Sequence, residues 1–221
     1  MKSDADQFVD ELNLWHARTI AQKTVEALRK NHFDAGFLES MDEAIDIVLQ
    51  FIKPGMSVGF GGSQTIRQSG LKEKLIEMDC EILDHNDASL SPEQKMQVMR
   101  KQQICDVFLC SSNAITIQGE LYNVDGNGNR IAAMTFGPAR VIVLAGVNKL
   151  CTDENQAWER IKSKAAPINL KRLNRPNPCT REGYCCDCNL PTRGCNAYLI
   201  LRKKPSLTDF SVFIVNESLG F

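Results

Sequence analysis

Short apolar segments of strand length alternate with segments of helical pattern along this 221-residue chain. Three of the clearest apolar segments are Ser57–Phe60, Val107–Ser111 and Val141–Gly146, and glycine, serine or asparagine follows each of them within two residues. Helix signals recur between them, such as Ser91 followed by proline and, three residues after the serine, by glutamine. Strands that alternate with helices predict an α/β fold, with a mainly parallel sheet flanked by helices.

The sequence predicts one domain over residues 1–221, with a helical segment at 1–32 and a cysteine-rich loop at 174–197 before the last strands. A hairpin is predicted over residues 114–124, because a glutamine–glycine turn separates two apolar segments there. Apolar residues at helical spacing predict a helix over Asp153–Ala165. The other predicted strands are Asp34–Glu39, Glu81–Leu83, Ala197–Leu201 and Ser211–Val215.

Composition excludes several classes of protein. The net charge of −1 argues against a nucleic-acid binder, because such proteins show a basic excess. No apolar run is long enough to span a membrane, and the first residues lack the apolar core of a signal peptide. We therefore expect a cytoplasmic protein without membrane contact. Small α/β domains often pair, so a homodimer is one expectation for its assembly.

Polar residues follow the predicted strands at their carboxyl ends, where open α/β sheets bind ligands. The glycine-rich turn after Phe60 predicts an anion site, or else a tight turn in which Ser63 only caps the next helix. Lys149 could neutralise a carboxylate, polarise a carbonyl or be exposed, and Arg130 could clamp an anion or close its turn. The candidates for binding a small organic acid or a phosphorylated metabolite are Gly61, Gly62, Ser63, Thr65, Asn113, Arg130, Asn148 and Lys149. No residue pattern identifies a catalytic group, so the catalytic residues stay unknown.

Five of the nine cysteines fall within residues 179–195. In a reducing cytosol disulfides are not expected, so this loop needs another explanation. Cys185 and Cys188 have the C-x-x-C spacing that chelates one metal ion, and Cys179 and Cys195 complete a possible set of four thiolates. An iron–sulfur cluster would carry electrons, zinc would be structural, and the remaining alternative is a loop of free thiols. Cys186 is left over.

Several motifs together resemble the LUD (lactate utilisation) family. The central ones are Ser112–Thr116 and Asp125–Arg130, with Gly119 and Asn123 between them. The resemblance continues through Phe136-Gly137-Pro138, Val141–Lys149 and the closing Val215–Phe221.

This resemblance implies a fold similar to the NagB/RpiA/CoA-transferase group. It also implies a component of lactate or organic-acid oxidation, with a redox or metal-binding role and oxidoreductase subunits as partners. One alternative is an enzyme acting on a phosphorylated or CoA-linked carboxylate, and another is a zinc-stabilised subunit without catalytic activity. The family supplies no catalytic residues that could be carried over to this chain.

Overall fold

The computed structural model describes residues 4–221. Most of its strands are short apolar segments that end at glycine, serine or another polar residue. In chain order the strands are β1 (Asp34–Leu38), β2 (Ser57–Phe60), β3 (Glu81–Leu83), β4 (Val107–Cys110), β5 (Ala114–Thr116), β6 (Leu121–Asp125), β7 (Arg140–Gly146), β8 (Leu150–Cys151), β9 (Ala197–Leu201) and β10 (Asp209–Val215).

Several helices begin at the capping residues that the sequence offers. Ser91 caps one through a capping box, and Ser40 and Asp153 each accept a hydrogen bond from a backbone N–H of the first turn. In chain order the helices are α1 (Asp4–Lys30), α2 (Met41–Leu49), α3 (Gln64–Gln68), α4 (Leu71–Glu77), α5 (Pro92–Lys101), α6 (Asn129–Thr135), α7 (Glu154–Arg160), α8 (Ala166–Arg172) and α9 (Cys179–Glu182).

The main sheet has six strands in the order β1-β10-β7-β4-β2-β3, and all of its neighbours pair in parallel. Its central strands are buried on both faces, as parallel sheets require. One face carries α1 with Val25 and Leu28 in the core, and the opposite face carries α2, α3 and α4. The predicted α/β fold with a mainly parallel, helix-flanked sheet is therefore confirmed.

A second sheet of four strands, in the order β8-β5-β6-β9, stands apart from the first. The predicted hairpin is present as the antiparallel pair β5–β6. No pattern in the sequence predicted that this hairpin leaves the main sheet, nor that β9 joins it while β10 returns to the centre of the parallel sheet. Tyr122, Ala157 and Leu170 belong to the apolar cluster between this sheet and the helices α7 and α8.

Two helix predictions need correction. The helix predicted over Asp153–Ala165 continues to Arg172, because a π-helical turn at Ile161–Ala165 joins α7 to α8. Helix α6 was not predicted, because the glycine and asparagine residues before it indicated only a turn. The first three residues of the predicted segment 1–32 lie outside the described residues, and α1 accounts for most of the rest.

None of the helices within residues 4–221 is long and apolar enough to cross a membrane.

Candidate functional site

A cavity of about 330 Å³ lies at the carboxyl edge of the main sheet. The loops that follow β2, β3 and β4 form one side of it, and the turn after β6 forms another. Residues 191–194 of the cysteine-rich loop and the C-terminal pair Gly220 and Phe221 complete the wall. This is the edge where ligands bind in open α/β sheets, because loops and helix N-termini converge there.

Lys149 is the buried cation of this cavity. It ends a 3-10 turn directly after β7, its side chain lies in the wall, and the residue is only 4% exposed. Its Nζ donates a hydrogen bond to Ser111 Oγ at 3.0 Å. Burial, together with the positive charges of Arg160 and Arg130, lowers the pKa of Lys149 from 10.5 to about 7. Within residues 4–221 no carboxylate forms an ion pair with it.

Arg130 lies in the same wall, but protein atoms already accept hydrogen bonds from its Nε and from both of its terminal nitrogens. It forms a buried ion pair with Asp125, at 2.6 Å from Nη2 to Oδ1. It also donates to the backbone oxygen of Ser111 at 3.1 Å and to the side-chain oxygens of Asn123 and Asn113 at 2.6 and 3.0 Å. Of the two predicted roles, the geometry favours closing the turn. We therefore treat Arg130 as a residue that positions the ends of β4 and β6.

Thr65 and Asn148 do not line the cavity, although both were predicted to bind a ligand. Thr65 Oγ1 donates to the backbone oxygen of Leu219 at 3.4 Å, and Asn148 Oδ1 accepts from the Leu219 N–H at 3.0 Å. Both residues thereby hold the C-terminal segment in place. Gly220 has a φ of +58°, and a Cβ there would lie 2.8 Å from Thr65 Oγ1 and 3.5 Å from Lys149 Nζ.

The glycine-rich loop after β2 is a tight turn that borders the cavity. Gly62 has a φ of +74°, and a Cβ on Gly61 would lie 3.0 Å from the Cβ of Cys110. Ser63 caps α3, since its Oγ accepts from the Ile66 N–H at 3.4 Å. The loop therefore fits the capping alternative. Gly61, Gly62, Ser63 and Asn113 nevertheless all line the cavity, as predicted for ligand-binding residues.

His85 adds a neutral polar group to the wall. Both hydrogens of the Gln102 amide go to the backbone oxygens of Phe60 and Leu83, at 2.9 and 2.7 Å. The Gln102 oxygen therefore accepts from Nδ1 of His85, at 3.2 Å, which leaves Nε2 of the ring without a proton. Burial lowers the pKa of His85 below its usual 6.5, so the ring is uncharged at neutral pH.

The cavity is positively charged. Five side chains of its lining are basic, four of them arginines, and one is acidic. Arg130 pairs with the single acid, Asp125, and Arg193 pairs with an acid of its own loop. In the part of the chain described, Lys149, Arg172 and Arg175 form no ion pair. Such a lining attracts a small anion.

The cysteine-rich loop brings its thiols near one another. Cys179 and Cys195 are buried against the apolar cluster of the second sheet, whereas Cys185 and Cys188 are half-buried. Burial raises the pKa of Cys195 to about 11, and the charge of Cys185 adds to this effect. The pKa of Cys179 is raised by burial and then by its neighbouring thiols. Cys186, the left-over cysteine, is exposed.

Two of these sulfur atoms accept hydrogen bonds. The N–H of Asp187 donates to Cys185 Sγ at 3.4 Å, and Asn177 Nδ2 donates to Cys188 Sγ at 3.5 Å. Among residues 4–221, however, no three His, Cys, Asp or Glu side chains are arranged to hold one metal ion. The four-thiolate metal site therefore stays a prediction.

Arg193 connects the thiols to the cavity. Its Nε donates to the backbone oxygen of Cys195 at 2.9 Å, and its Nη1 donates to that of Cys188. The same arginine, with Pro191 and Gly194, forms part of the cavity wall. The shape of this wall thus depends on how the cysteine-rich loop folds.

Sequence reasoning missed Arg172 and Arg175 as residues of the site. No signal in the sequence could have placed them, because the helix that carries Arg172 was expected to end before Pro167. Gly220 and Phe221 were recognised only as part of a family motif, and their place in the wall depends on the tertiary contacts of the C-terminal segment.

Comparison with known proteins gives a family and a shared fold. The LUD domain family matches residues 21–215. No curated protein sequence matches the chain. The crystal structure of a DUF162 family protein from Deinococcus radiodurans is similar, with a TM-score of 0.52 and 12% identity, over 91% of this chain and 98% of that one.

Two further structures from Chaetomium thermophilum are more distant. The eIF2B beta structure gives a TM-score of 0.37 at 18% identity, over 52% of this chain and 44% of that one. The eIF2B delta structure gives a TM-score of 0.33 at 16% identity, over 67% and 54%.

Proposed function

We propose, from the premise that this chain belongs to the LUD domain family, that its cavity binds a small organic acid or a phosphorylated metabolite. On this proposal the chain is a component of organic-acid oxidation, with lactate as the first candidate and oxidoreductase subunits as partners. The family resemblance supports the link to lactate, and the charge of the cavity supports the anionic ligand.

One observation carries the proposal: Lys149 is buried in the cavity wall, and no carboxylate of residues 4–221 forms an ion pair with it. Removing an ammonium group from water without a counter-charge is unfavourable, so proteins normally pair such a group or neutralise it. A carboxylate or phosphate in the cavity would supply the missing charge. Arg172 and Arg175 line the same cavity and would attract the anion from solvent.

Isothermal titration calorimetry of the full chain tests this proposal with lactate, pyruvate, a sugar phosphate and acetyl-CoA as ligands. We expect at least one of them to bind, and Lys149→Met to weaken that binding by at least about tenfold, or ~1.4 kcal/mol. Lys53→Met is the matched control, because Lys53 is exposed and precedes the opposite end of β2. Absence of binding across the panel, or equal binding by both variants, would contradict the proposal.

We propose a second function for the cysteine-rich loop, namely binding of an iron–sulfur cluster or a zinc ion by Cys179, Cys185, Cys188 and Cys195. The support is that Cys185 and Cys188 contribute to the raised pKa of both Cys179 and Cys195, and that Cys185 Sγ accepts a hydrogen bond from a backbone N–H. The side chains as they lie do not form a ligand group, so metal binding requires them to rearrange.

Metal and acid-labile sulfide, measured in protein purified without oxygen, test the second function. Iron with matching sulfide would indicate an electron carrier, and zinc alone would indicate a structural site. The double variant Cys185→Ser/Cys188→Ser should lose the metal, whereas Cys186→Ser should keep it, because Cys186 is the exposed neighbour outside the set. If the wild-type protein contains no metal, the second function is refuted and the cysteines are packed thiols.

A further inference from the structure

We propose that Lys149 is a nucleophile that binds 2-oxo acids covalently, as an imine between its Nζ and the carbonyl carbon of the acid. This inference rests on the proposed function, since it requires a small organic acid in the cavity. It goes further by assigning a reacting atom and by selecting acids that carry a carbonyl group.

The surroundings of Lys149 keep its amine reactive. An ammonium ion has no lone pair, so a lysine nucleophile needs a site that favours the neutral amine, such as a desolvated site beside other cations. Lys149 lies in such a site: it is 4% exposed, and the charges that lower its pKa are the guanidinium groups of Arg160 and Arg130. Both arginines are buried. Arg160 is held by its hydrogen bond to the backbone oxygen of Asn148 at 2.9 Å, and Arg130 is held by its ion pair with Asp125.

The cavity also limits what can reach this amine. Its lining includes Arg172 and Arg175, which suit the carboxylate of an acid, while the amine suits an electrophilic carbon next to that carboxylate. A 2-oxo acid carries both groups on adjacent carbons. An acid with a hydroxyl group at the same carbon, such as lactate, can bind through its charge but cannot form the imine.

The reaction balances without an oxidant or a reductant. The lone pair of Nζ attacks the carbonyl carbon, a C–N bond forms, and the carbonyl oxygen takes up a proton while the nitrogen loses one. The hydroxyl oxygen of this carbinolamine then takes up the second proton of the nitrogen, the C–O bond breaks, the oxygen leaves as water, and a C=N bond remains. Ser111 Oγ lies 3.0 Å from Nζ and can pass the proton between nitrogen and oxygen.

Reductive trapping tests the imine in the full chain. The protein is incubated with pyruvate, treated with sodium borohydride and digested, and each lysine-containing peptide is analysed by mass spectrometry. We expect one carboxyethyl group on Lys149, at a yield at least about tenfold above that on exposed Lys53, because an ordinary lysine is protonated at neutral pH. Lys149→Arg keeps a positive charge but cannot form an imine, so it should show no adduct while retaining a cooperative thermal transition.

Calorimetry with propionate separates this inference from the proposed function, because propionate has the carboxylate but no carbonyl. Propionate binding together with a Lys149 adduct supports both. Propionate binding without an adduct, or with equal adducts on Lys149 and Lys53, overturns the imine and leaves the anion site intact. Neither binding nor an adduct overturns both.

Discussion

Replacing Lys149 by methionine is expected to stabilise the folded chain at neutral pH. Each unit by which a pKa is lowered on folding corresponds to about 1.4 kcal/mol. The fall from 10.5 to about 7 therefore makes the buried amine unfavourable by about 5 kcal/mol relative to the unfolded chain. Methionine has a similar length and no charge, but it loses the hydrogen bond to Ser111, worth about 1 kcal/mol. A net gain of about 2–4 kcal/mol in the free energy of unfolding remains.

The sign of the pH dependence follows from the same shift. Below the folded pKa both states are protonated, and the penalty is present in full. Between about pH 7 and pH 10.5 the unfolded chain binds one proton more than the folded chain, so wild-type stability rises with pH. The advantage of the methionine variant should therefore shrink by about 1.4 kcal/mol per pH unit in this window.

Urea denaturation of both proteins, at about pH 7 and again at about pH 9, measures this difference. Other groups, including the thiols, titrate alike in the two proteins and cancel in the comparison. Lys53→Met should show no such pH-dependent difference, because Lys53 is exposed. If Lys149→Met destabilises the chain equally at both pH values, the lysine is stabilised by a partner and the reasoning fails.

Three further perturbations have expected outcomes. Arg130→Met leaves a buried carboxylate unpaired and should lower the free energy of unfolding by about 3–5 kcal/mol, measured in urea; a loss below about 1 kcal/mol would contradict its positioning role. Gly220→Ala places a Cβ 2.8 Å from Thr65 Oγ1 at a positive φ. This change should weaken ligand binding, as measured by calorimetry. Unchanged binding would show that the C-terminal segment does not shape the ligand site. In metal-free protein, iodoacetamide should label exposed Cys186 first and buried Cys195, with its pKa of about 11, among the last. Peptide mass spectrometry measures the rate of labelling at each cysteine. Equal rates would contradict the burial of Cys195 and show that the loop is open.

Some parts of this fold could be predicted from the sequence because local signals and tertiary structure agree. Strands β2 and β3 have the predicted bounds, since short apolar segments with polar ends fit a sheet buried on both faces. The polar residues that follow the strands also indicated a binding site at the carboxyl edge of the sheet, where the cavity lies.

Other parts depend on contacts that no local pattern encodes. The helix that was predicted to end at Ala165 continues through Pro167, because a π-helical turn precedes the proline. That continuation brings Arg172 to the cavity. The burial of Lys149 is likewise a property of the packed structure, and it distinguishes this lysine from an ordinary exposed one.

The first part of helix α1 is exposed. Its apolar residues Phe8, Leu12 and Trp15 are 60%, 49% and 64% exposed, and the first buried side chain described in it is Ala21. The family match also begins at residue 21. Since helices in proteins owe most of their stability to tertiary packing, the exposed part before Ala21 should open more often than the part after it. Amide hydrogen exchange should therefore be fast before Ala21 and slow after it. Such a result would mean that the domain's cooperatively folded unit begins within this continuous helix.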